Sequence, residues 1–149
     1  MPIDTGLVLD DVTKNLVEFL EARIGEWGIR EVVPFEGLFK STYPRIEVNV
    51  TDATFERIES GGGYMCYVLA DVLYFYQQFK DRVAKEELDR RSSEIGFFLA
   101  ANPTLGGYSN DLVLEAIAIT ALREQTTGSP VVVAVIRCRI RKEVFLDYQ

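Results

Sequence analysis

From about Asp4 to Trp27 the apolar residues Val8, Val12, Leu16, Phe19, Leu20, Ile24 and Trp27 recur at helical spacing. Asp11, Lys14, Asn15, Glu18, Glu21 and Arg23 hold the opposite side. The pattern predicts an amphipathic helix, capped at its start by Asp4 or Thr5 and ended by Gly25 or Gly28. Ile29 to Phe35 is a short apolar run broken by charge and by Pro34. It is expected as a strand near a sheet edge, because proline donates nothing to a ladder. Glu36 to Pro44 is expected as a loop. Arg45-Ile46-Glu47-Val48-Asn49-Val50-Thr51 then alternates strictly between polar and apolar, the pattern of a half-buried strand.

Asp52 to Gly63 is polar and ends in three glycines, and is expected as a hairpin or exposed loop. Those glycines lack the spacing of a phosphate-binding loop, and no Lys-Ser/Thr follows them. Tyr64 to Phe79 is a long strand rich in aromatic and β-branched residues. One face would carry Tyr64, Cys66, Val68, Ala70, Val72, Tyr74 and Tyr76. The other would carry Met65, Tyr67, Leu69, Asp71, Leu73 and Phe75. Two mostly apolar faces call for cover on both sides, by a second layer or by a partner subunit.

Asp81 to Ala101 is the second expected helix, with Val83, Leu88, Ile95, Phe98 and Leu99 inside and a charge-laced outer face. Pro103 forces Asn102 out of the helical region, so this helix should stop at or before Asn102. Gly106-Gly107 then allow the chain to reverse. Leu112 to Arg123 and Val131 to Val144 close the chain as two strands, joined by a hairpin through Gln125 to Pro130. The fold class expected is α+β: a mostly antiparallel, mixed sheet of about five strands packed with two main helices, in one domain over residues 1–149.

Composition narrows the function. A chain of 149 residues buries roughly 68–70% of its unfolded surface, enough for a core without staples. The formal charge of −7 disfavours non-specific nucleic-acid binding. No basic and then apolar N-terminal segment is present, and no apolar run approaches the ~20 residues of a membrane helix. The expectation is therefore a chain with no membrane partner, made in the cytoplasm. Cys66 and Cys138 sit in apolar strands at no metal-ligand spacing and are expected as reduced core thiols.

The chain contains no histidine, which removes the usual general base, the commonest metal ligand and any Ser-His or Cys-His pair. Asp52, Glu56 and Glu59 form a carboxylate cluster best explained by solubility. No catalytic, metal or cofactor residue is assigned, and no enzymatic activity is expected. The informative polar feature is the row Arg137, Arg139 and Arg141 on one face of the last strand, with an apolar face behind it. Cations at this spacing, about 7 Å apart, repel unless anions face them. Glu115 or Glu124 of the neighbouring strand, a neighbouring subunit, or a nucleic acid are the candidate partners.

Along nearly its full length the chain resembles the tail terminator (tail-completion) proteins of tailed bacteriophages. The matching features are the N-terminal helix, the alternating strand from Arg45, and Gly61-Gly62-Gly63-Tyr64-Met65-Cys66 leading into the long strand. The second helix closing on Ala101-Asn102-Pro103-Thr104-Leu105-Gly106-Gly107 before the C-terminal hairpin completes the likeness. The resemblance implies a structural virion protein of the tail–neck region that forms a homohexameric ring. Such a ring caps the tail tube, ends its polymerisation and joins the tail to the head. The implied partners are further copies of the chain, the tail tube protein, a neck or head-closure protein and a sheath protein, with DNA only as passing cargo. Arg137, Arg139 and Arg141, with Tyr64 and Tyr67 of the aromatic strand, are the subunit-interface candidates. A neck or head-closure adaptor is the alternative in the same setting. A small α+β enzyme or ligand-binding domain, with Tyr64 to Tyr76 as a pocket wall, is the alternative of another class.

Overall fold

The structure is a computed structural model that describes residues 5–35, 43–58, 62–77, 82–123 and 130–145. Helix α1 (Thr5–Glu21) buries the predicted stripe, with Val12, Leu16 and Leu20 fully excluded from solvent. Each such side chain contributes about 1.5–3 kcal/mol of transfer free energy. The single helix expected through Trp27 is in fact two. The Arg23 amide donates to the Leu20 carbonyl in a turn, and a short helix α2 (Ile24–Trp27) follows. That break lets Trp27 set its ring edge-on against Phe98, with centroids 5.3 Å apart. Gly28, at φ +66°, ends α2 with its amide donating to the Ile24 carbonyl, as its left-handed tolerance allows.

Strands β1 (Glu31–Pro34), β2 (Arg45–Arg57) and β3 (Gly63–Gln77) precede helix α3 (Arg82–Ala101), and strands β4 (Asp111–Arg123) and β5 (Pro130–Phe145) follow it. The five strands form one mixed sheet in the order β1-β2-β3-β5-β4. Only β1 and β2 run parallel; all other neighbours are antiparallel. The expected α+β class is therefore observed, and Pro34 lies on an edge strand as expected.

Asp52 to Arg57, expected within a polar loop, continues β2 instead. A bulge between Val50 and Asp52 shifts the register. Beyond it Ala53 and Phe55 turn inward while Asp52, Thr54 and Glu56 turn to solvent. The alternation persists, but its phase slips at the bulge, and that slip hides the strand in the sequence. The hairpin expected at Gln125 to Pro130 lies outside the described residues except for Pro130, the first residue of β5. The loop expected over Glu36 to Pro44 likewise lies outside them up to residue 42.

Both long helices pack on one face of the sheet. Leu16, Leu20, Leu88, Ile95 and Leu99 meet Val68, Val72, Ile136 and Ile140 in the main core. Cys66 and Cys138 lie in this core as buried, unpaired thiols, as expected. Helix α3 ends at Ala101, where the Asn102 side-chain amide donates to the Phe98 carbonyl at 2.8 Å. Gly106 (φ +74°) and Gly107 (φ +97°) then reverse the chain toward β4.

Candidate interaction surface

The second face of the sheet divides into two halves. At one end Leu73, Phe75, Val131 and Val133 bury one another with Tyr43 in a separate apolar cluster. Beside it, Arg45 and Glu47 form an ion pair with both side chains fully buried. The Arg45 guanidinium lies 5.3 Å from the Tyr43 ring centroid and 5.0 Å from that of Phe75. Cover for this half of β3, expected from a second layer or another subunit, comes from the chain's own side chains.

The other half is where the candidate residues gather. The β3–β5 register sets Asp71 opposite Arg137, Leu69 opposite Arg139 and Tyr67 opposite Arg141. The Arg137 guanidinium donates twice to Asp71, through Nε to Oδ1 at 2.9 Å and through Nη2 to Oδ2 at 3.1 Å. This two-point contact raises the Arg137 pKa further above its already high ordinary value. Arg139 Nε donates to Glu115 Oε1 at 3.1 Å. The Tyr67 hydroxyl donates to Glu56 Oε2 at 3.3 Å. Arg141 is exposed and makes no ion pair among the described residues.

Strand alternation brings Arg137, Arg139, Arg141 and Tyr67 onto one open face. Tyr64, the fifth candidate, takes the opposite, helix-covered face, where it is half-buried across from Val144. Of the carboxylates expected opposite the arginines, Glu115 takes that role, and Glu124 lies outside the described residues. Asp71, which pairs with the first arginine, is missed when β5 is compared with its hairpin neighbour alone. Its signal was available: it is the single charge on the inner run of β3.

A shallow groove of about 470 Å³ lies at the other side of the molecule, lined by Val8, Asp11, Lys14, Tyr108, Lys142 and Val144. Lys142 donates to the Tyr108 carbonyl at 2.8 Å and places its ammonium 3.8 Å from the Tyr108 ring centroid. These groups satisfy one another across three elements, so the groove acts as a joint in the fold. Among the described residues no group of three or more His, Cys, Asp or Glu side chains is placed to hold a metal ion. Among them, too, no helix is long and apolar enough to cross a membrane.

Neither protein-family models nor curated proteins give a match to this chain.

Proposed function

We propose that this chain is a structural virion subunit that closes the end of a phage tail tube as a ring of six copies and joins the tube to the neck. The observation that carries the reading is the open half-face of the sheet, with Arg137, Arg139, Arg141 and Tyr67 standing on paired strands and no helix above them among the described residues. Arginine and tyrosine are enriched in protein–protein contacts, where they combine contact area with directed hydrogen bonds. An open sheet face suits contact with another folded surface; a small molecule needs a concave site. In a ring this face would meet a different patch on the next copy, the heterologous geometry that closes by rotation.

The charge balance supports the same reading. With 23 acidic against 16 basic side chains, the subunit repels phosphate overall, which suits the wall of a conduit that DNA must slide through.

The test is to add the purified protein to tail tubes during polymerisation and to image them by negative-stain electron microscopy. A six-fold ring at one tube end, with tube length arrested, is the expected result. Binding along the tube wall, or no effect on length, overturns the proposal. Particles seated on the head-side connector and absent from the tube end would favour the neck-adaptor alternative.

A further inference from the structure

The outer edge of β4 stands unpaired among the described residues. β4 is 13 residues long, stands at the end of the sheet, and has no strand on its outer side among the described residues. Folded proteins normally blunt such an edge with proline, lysine, a bulge or a short strand. The opposite edge follows that rule: β1 has four residues and finishes on Pro34. β4 carries one bulge, between Leu114 and Ala116. Beyond it, Ala116-Ile117-Ala118-Ile119-Thr120-Ala121 pairs with β5 in unbroken register and contains no charge. Ile119 is 47% exposed although it lies on the same face as the core, and Ile117 beside it is half-buried.

We propose that in the free protein this edge is covered by the same edge of a second copy. The two β4 strands would run antiparallel about a two-fold axis at Ala118. A second copy fits because the edge is self-complementary. Among the described strands, the available edge of matching length and neutrality is β4 itself. A two-fold axis satisfies both unpaired edges in one contact. The register follows from the side chains. An axis at Ala118 sets Ala118 against Ala118, Ala116 against Thr120, and Ile117 against Ile119 twice over. Both isoleucine pairs then fall on the helix-bearing face, where cross-strand β-branched pairs are favourable. An axis at Ile117 would push Ile119 against the bulge at Glu115 and break the ladder.

This pairing does not depend on the tube-capping reading. It uses the strand edge, whereas the ring contact proposed above uses the open sheet face. A closed two-fold pair cannot grow into a ring through β4, so it describes the subunit before assembly.

Two measurements test the proposal. Light scattering coupled to size exclusion should give a mass of twice 16.9 kDa, and the I119K variant should return it to 16.9 kDa with an unchanged circular dichroism spectrum. Because Ile119 already faces solvent in part, this variant should still fold. Under mild oxidation A118C should cross-link to itself, since directly opposed strand residues have Cα atoms about 4.5–5.5 Å apart, within disulfide reach. I119C should cross-link at least ten-fold more slowly alone, yet readily in a mixture with I117C. The buried native thiols stay out of this chemistry. A monomer at all concentrations, a dimer unaffected by I119K, or faster self-cross-linking of I119C than of A118C overturns it. None of these outcomes bears on tube capping, which is read on tubes.

Discussion

The Tyr108 hydroxyl donates to the Asp11 carboxylate across 97 residues of sequence, tying the turn after α3 to the first helix. Lys142 of β5 completes the joint by stacking on the same ring and donating to the Tyr108 carbonyl. Ser109 adds a bond from its hydroxyl to the Pro103 carbonyl, at 2.8 Å. The reversal at Gly106-Gly107 is therefore a clamp that holds α1, α3 and β5 in fixed relation. Y108F keeps the ring and removes only the hydroxyl. It should lower stability by about 1 kcal/mol, the scale of one hydrogen bond to a partly solvated charge. Y108A, which also loses the lysine contact and the ring's packing, should cost about 2–4 kcal/mol. Urea denaturation followed by the fluorescence of buried Trp27 reads both.

The buried pair Arg45–Glu47 sets a second expectation. E47Q preserves shape but removes the Glu47 charge from its ion pair with Arg45 in a fully buried site. The loss should be about 3–5 kcal/mol, as for other buried pairs broken on one side. Replacing both together, as R45M/E47L, should recover most of that loss, because neither charge of the pair is then buried alone. Denaturant midpoints of the two variants compared with the parent decide the matter. Equal losses in both would show that packing around Tyr43 and Phe75, and not charge, governs the site.

Gly96 of α3 lies against the Ile117 and Leu114 side chains of β4. A methyl group there would sit 3.0 Å from Ile117 Cδ1, and about 3.5 Å from the nearest Leu114 methyl. Alanine gains helix propensity of about 1 kcal/mol over glycine, and the Ile117 tip must give way to accept it. G96A alone should therefore change stability by less than about 1 kcal/mol in either direction. G96L, which no small shift accommodates, should cost about 1–3 kcal/mol. Combining G96A with I117V removes the crowded methyl, so the pair should be more stable than I117V alone in thermal melts.

Alkaline pH should weaken the fold through the two core thiols. Burial pushes the Cys66 pKa up to about 11 and that of Cys138 up to about 12, from an ordinary value near 9. Between about pH 9 and 11 the folded chain keeps both protons while the unfolded chain releases them. The stabilisation is whole below about pH 9 and is lost progressively as pH rises toward the folded values. Denaturation at about pH 8 and about pH 10 should show this fall, and it should be shallower in C66A/C138A. Tyr74 and Tyr108, whose pKa values burial also raises, extend the decline above their ordinary value of 10.

Much of this architecture was legible in the chain. Periodicity located α1 and α3 because each buries a single stripe, and proline placed both the end of α3 and the edge strand β1. Alternation separated the arginines of β5 from the apolar residues behind them. Three features were not legible, for distinct reasons. The end of β2 was hidden because the bulge after Val50 inverts the phase of the pattern. The break between α1 and α2 carries no proline or glycine at Ala22-Arg23, and it follows from the packing of Trp27 on Phe98. Asp71 stands out in the sequence as the single charge of β3, but its partner does not: the Asp71–Arg137 pair joins residues 66 positions apart, and only the sheet order, with β5 inserted beside β3, brings them together. Of the five candidate residues, Tyr64 went to the other face because odd and even positions of β3 point opposite ways.

That sheet order also fixes a timetable. β5 is the last of these five strands to be synthesised, yet it occupies the position between β3 and β4, where Gly63 meets Phe145 across 82 residues. Until it arrives, β3 and β4 have no common neighbour, and the apolar run of β3 is open along one side. Closing such distant pairs is slow compared with local helix formation. Completion of the sheet must therefore wait for β5, and truncations that stop short of residue 130 are expected to aggregate, with no half-sheet formed.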